Sequence, residues 1–68
     1  MSNIKFVCKS PDMTDFEEIV FPITEIRQVL PHNYKGKNYT MIKTIYQATY
    51  IVKLPADIVI ERLDKKRK

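Results

Sequence analysis

In 68 residues the sequence has one glycine, one cysteine, one histidine and no tryptophan. Each scarcity removes a class of protein. A single cysteine, Cys8, excludes an internal disulfide. One Cys and one His (His32) cannot close a zinc site without borrowed carboxylates, so no metal or other cofactor is expected. One glycine excludes the glycine-rich loops that cradle phosphates, and no trio of nucleophile, base and orienting acid is available; an enzyme is not expected. Nor is there an apolar run of the roughly 18–20 residues that a membrane span needs. The opening "MSNIKFVCKSP" alternates instead of forming an apolar leader, so a cytoplasmic protein is expected.

At 44% hydrophobic and 29% charged residues the composition is that of a folding chain, long enough for one domain only. Twelve Lys and Arg against eight Asp and Glu give a net charge of +4, which favours anionic partners. Much of that excess is the terminal "KKRK", residues 65–68. The domain is therefore read as residues 1–64 with a basic tail at 65–68.

"IKFVCK" (4–9) alternates, with Ile4, Phe6 and Cys8 facing one way and Lys5, Val7 and Lys9 the other, which is the pattern of a half-buried strand. A loop at 10–15 and a second strand at 17–21, ended by Pro22, complete a hairpin. Residues 23–25 read as a single turn and 26–30 as a strand stopped by Pro31. "HNYKGKN" (32–38), with the only glycine, is a turn.

"YTMIKTIYQATYIVKLP" (39–55) contains no Gly, Asn or Asp and reads as β throughout. One continuous strand over 39–54 would exceed about 50 Å, far beyond what a domain of this size can cover. The even positions Ile42, Tyr46, Ala48, Tyr50, Val52 and Leu54 make the better core face. A hairpin is placed at Tyr46–Gln47–Ala48 between strands 39–45 and 49–54, with one bent strand shared with a second subunit as the alternative. From Pro55 the period changes. Ala56, Val59, Ile60 and Leu63 form a helical stripe over 55–65, Asp57 suits the N-terminal end, the lysines suit the C-terminal end, and Glu61 and Lys65 are spaced as an i,i+4 pair. The fold class is thus mainly β (α+β): a small curled antiparallel sheet or SH3-like open barrel of about five strands with one C-terminal helix.

"ITEIRQVLP", then "YTMIKT", then "YIVKLPADIVIERL" resembles small bacterial and phage proteins of the flagellar FlbD-like kind, over residues 19–65. Ile23, Ile26, Pro31, Tyr50, Val52, Pro55, Val59 and Leu63 occupy the positions of its "I..I.P" strand and closing strand-to-helix element. Where that pattern usually carries a hairpin glycine this chain has "YQA". The resemblance implies a curled sheet plus helix and no catalytic residues.

Cys8 shares the inward face with Ile4 and Phe6, where a thiol acts as a small hydrophobe. His32, after Pro31, is expected in an exposed loop, and Glu17 and Glu18 point to opposite faces of a strand. "HNYKGKNYT" is the stretch with binding chemistry. Tyr34 and Tyr39 bracket Lys35 and Lys37, joining rings that stack on bases to cations that meet phosphates. Lys43 and the tail, Lys65, Lys66, Arg67 and Lys68, would add phosphate contacts. The plainer readings are a polar hairpin loop and a solvated helix end. Four tyrosines and three phenylalanines exceed what so small a core hides, which points to a homo-oligomer. The expected function is a small binding or regulatory protein acting on nucleic acid or a nucleotide. The alternative is a protein–protein module, such as a phage-encoded inhibitor or regulator. Lysines gathered on one face favour the first, scattered lysines the second.

Overall fold

The computed structural model describes residues 2–67. Strand β1 (Asn3–Lys9) turns through the loop at 10–16 into β2 (Glu17–Pro22). A 3₁₀ turn (Ile23–Glu25) leads to β3 (Ile26–Tyr34), which continues as a meander through β4 (Lys37–Thr44) and β5 (Thr49–Val52) to helix α1 (Ala56–Arg67). The strands make one antiparallel sheet in the order β2-β1-β5-β4-β3. Its two edge strands, β2 and β3, are joined directly by the three-residue 3₁₀ turn, so the sheet must curl until its edges approach there. That turn is pinned on both sides: the Ile23 N–H donates to the Ser2 carbonyl at 3.1 Å, and the Ile45 N–H to the Glu25 carbonyl at 2.9 Å.

The alternation in β1 is realised, with Ile4, Phe6 and Cys8 buried. They pack with Phe21, Ile26, Ile42 and Val52 inside the curl, and α1 closes it with Val59 and Leu63. Full burial of each of those two side chains stabilises by about 1.5–3 kcal/mol. Thr40 is buried among them and satisfied by donating its Oγ1–H to the Leu54 carbonyl at 2.6 Å. Tyr50 meets Phe21 edge-on at 5.0 Å.

The 39–55 stretch is two strands. The longest dimension of the molecule is 33 Å, too short for the single strand that its composition suggests. Thr44 makes the reversal. Its Oγ1 accepts from the N–H groups of Tyr46 and Ala48 (3.3 Å each), while its own N–H donates to the Ala48 carbonyl at 3.0 Å. Gln47 takes the left-handed conformation, φ 64°, that a glycine would supply at no cost.

Several expectations are corrected. Pro31 does not stop β3, which runs on to Tyr34. As an edge strand β3 needs N–H donors on one side only, so a proline is tolerated. The β3–β4 turn is tighter than "HNYKGKN" suggests: only Lys35 (φ 51°) and Gly36 (φ 78°) turn, the two positive φ values of a type I′ hairpin, and Asn33 Oδ1 accepts from the Gly36 N–H. Tyr46 belongs to the turn rather than the core and is 70% exposed; Ile60 falls off the buried stripe of α1 at 47%. The helix runs through Arg67, so Lys65, Lys66 and Arg67 are its last turn and not a separate tail. Lys68 lies outside the described residues. Among those residues no helix is long and apolar enough to cross a membrane.

Candidate functional site

Directly opposed residues of a sheet share a face and neighbours along a strand alternate. Cys8, Val52, Thr40 and Ile42 form one inward row and its continuation. It follows that Lys5 and Lys9 in β1, Lys37 and Lys43 in β4, and Lys53 just past β5 all face outward. Glu18 is on the same face, 3.5 Å from Lys5 as an exposed ion pair that adds little stability. The carboxylates Asp57, Glu61 and Asp64 are on α1, across the core.

The same alternation puts Tyr34 and Tyr39 together. Tyr39 is opposite His32 and Tyr34 opposite Lys37, which makes the two rings diagonal neighbours on the outward face. They stack with centroids 5.8 Å apart and planes 19° apart. Phe16, the loop residue just before β2, sets its ring edge-on to both, at 5.9 Å from Tyr34 and 5.8 Å from Tyr39. Three ammonium groups surround this aromatic corner. Lys9 and Lys35 approach Tyr34 at 5.6 and 5.4 Å from the ring centre, and Lys53 approaches Phe16 at 4.9 Å. Cation–π contacts of this kind contribute about 0.5–1 kcal/mol each at exposed sites. All three rings are half-buried, so part of each remains open to solvent.

No family model, curated protein or solved structure matches the chain.

Of the residues singled out by sequence, Tyr34, Lys35, Lys37 and Tyr39 meet at this corner. Lys43 shares the outward face but stands at the far end of β4, beside Arg27, Gln28 and Thr49. Lys65 and Lys66 sit against β1 and β2 near Asn3 and Val20, while Arg67 lies on another side of α1, near Ile26 and Val29. The lysines therefore gather in part: the sheet lysines share a face, the helix lysines do not. Phe16, Lys9 and Lys53 were not singled out. The alternation of "IKFVCK" places Lys9 on the outward face, but only the strand order brings it to Tyr34.

His32 is a strand residue opposite Tyr39, half-buried, rather than an exposed loop residue. Cys8 and His32 are on opposite faces of the sheet and form no thiolate pair. Burial pushes the Cys8 thiol up to about 11, leaving it protonated and inert near neutrality.

Proposed function

We propose that the protein is a non-enzymatic, cytoplasmic, homo-oligomeric binding module that holds single-stranded nucleic acid on the outward face of its sheet. The observation that carries this reading is the aromatic corner: Phe16, Tyr34 and Tyr39 in contact, with Lys9, Lys35 and Lys53 around them. The ammonium groups replace the counterions of a phosphate backbone, and the open ring surfaces stack on bases of any sequence. Lys37 and Lys43 extend the positive field along β4.

Fluorescence anisotropy with labelled single-stranded and duplex oligonucleotides tests it. Binding should be stronger to single strands and weaken steeply as salt rises. Tyr39→Ala should cost about 1–3 kcal/mol. Absence of binding at low salt by correctly folded protein would discard the proposal.

A second reading, a regulator docking on a partner protein, is favoured by one feature. Ile45 and Tyr46, 52% and 70% exposed, form an apolar tip on the β4–β5 turn, and tyrosine is enriched at interfaces.

A further inference from the structure

Two open grooves lie beside one another between the β1–β2 hairpin and the second half of α1. One, of about 640 Å³, has Ile4 and Val20 in its lining and Lys5, Arg62, Lys65 and Lys66 around it. The other, of about 470 Å³, is lined by Phe6, Val7 and Leu54 with Lys5, Arg62, Glu18 and Lys53. Lys5 and Arg62 line both, so the two grooves adjoin. Lys53 lines the second groove and also lies over the Phe16 ring, so it links that groove to the aromatic corner.

We infer that a nucleic-acid strand held at the corner continues along this groove, with Arg62 and Lys66 taking its phosphates; this rests on the single-strand reading of the corner. Charge complementarity selects the occupant. Cations recur along the length of the track instead of clustering at one end, which suits a ligand with one negative charge per repeat and not a single anionic head on an apolar tail. Lys5 and Lys65 are already held by Glu18 (3.5 Å) and Glu61 (3.4 Å). Arg62, Lys66 and Lys53 have no carboxylate in ion-pair range among the described residues. The guanidinium of Arg62 suits phosphate particularly well, because its planar donors engage two oxygens at once. Val7 and Val20, exposed at 42% and 55%, line one groove each and offer apolar surface to sugars and base faces.

The test compares a thymidylate tetramer, octamer and dodecamer by fluorescence anisotropy, using the full chain, an Arg62→Glu/Lys66→Glu variant and Tyr39→Ala. Wild type should gain about tenfold in affinity from tetramer to dodecamer at physiological salt as further phosphates are engaged. The double variant should bind the tetramer as wild type does, lose that gain, and show a dodecamer salt slope shallower by about 0.7 for each of the two phosphates lost. Wild-type binding of the dodecamer by the double variant would overturn the groove and leave the corner standing. Equal weakening at every length would also overturn it, because the cations would then act only as a distant field. Failure of wild type to bind any oligomer at low salt would overturn both readings. Matching thermal melts, or Arg62→Gln/Lys66→Gln should the acidic pair fail to fold, keep the comparison interpretable.

Discussion

Thr44 does at the β4–β5 turn what a glycine or asparagine commonly does elsewhere. One buried hydroxyl oxygen accepts from two turn amides, and Gln47 adopts a left-handed backbone to let the chain through. Losing the hydroxyl leaves the Tyr46 and Ala48 amides without that partner, so Thr44→Val should destabilise the protein by about 1–3 kcal/mol despite its near-identical shape. Gln47→Gly removes the steric cost of positive φ and should stabilise by up to about 1 kcal/mol, part of the gain being offset by the greater freedom of glycine in the unfolded chain. Urea titrations of the two variants check both signs. The opposite order of stability would mean that the turn is not held by Thr44. This device is hard to read from sequence because a threonine in "YTMIKTIYQ" looks like any β-former; its role depends on its being buried.

At the scale of the element, α1 separates two isoleucine-like neighbours with different fates. Val59 and Leu63 are buried against the sheet, while Ile60, one residue on, is half exposed. Val59→Asp or Leu63→Asp places an unpaired charge in the core and should cost about 4 kcal/mol or more, enough to unfold so small a domain. Ile60→Asp should leave the melting temperature within a few degrees of wild type, as read by circular dichroism. Wild-type melting of both core variants would mean that α1 does not pack on the sheet. Alternation and helical spacing are local signals, so the type and order of most elements are legible in the sequence. Whether 39–54 is a hairpin or one bent strand is not, because the reversal depends on the burial of Thr44. What escaped depends on neighbours. Pro31 reads as a stop until β3 is known to be an edge strand. Arg27 gives no sign that it is the extra residue of a bulge, between Ile26 opposite Thr44 and Gln28 opposite Lys43. The candidate site divides in the same way. Tyr34, Lys35, Lys37 and Tyr39 lie within one hairpin and can be read together, whereas Phe16, Lys9 and Lys53 join them only once β1 has paired with β5.

For the whole molecule, size and surface are in tension. Val7, Val20, Ile45, Tyr46 and Ile60 all expose large apolar side chains on a chain of 68 residues. Domains this small rarely obtain more than about 3–5 kcal/mol from their own core. The homo-oligomer belonging to the proposed function would cover part of that surface and stabilise the fold by mass action. Its melting temperature should then rise with protein concentration, and sedimentation should give at least a dimer at micromolar concentration. A monomeric mass with a concentration-independent melt would remove self-association from the proposal.

The sheet is two locally closed units, the β1–β2 hairpin and the β3–β5 meander, sewn together where Cys8 and Lys9 meet Val52 and Ile51 and the Lys53 amide reaches Val7. Within each unit partners are close in sequence; across this seam they come from opposite ends of the chain. The loss of chain freedom in joining distant segments therefore concentrates at one place. Closing the seam should be slower than forming either unit, since hairpins form on the order of microseconds and non-local pairing is slow. Stopped-flow refolding of a Val52→Ala variant, slowed relative to wild type, would check it. The seam also brings Lys9 of β1 and Lys53, just past β5, to the same rings, so the aromatic corner is complete only once the two units have paired.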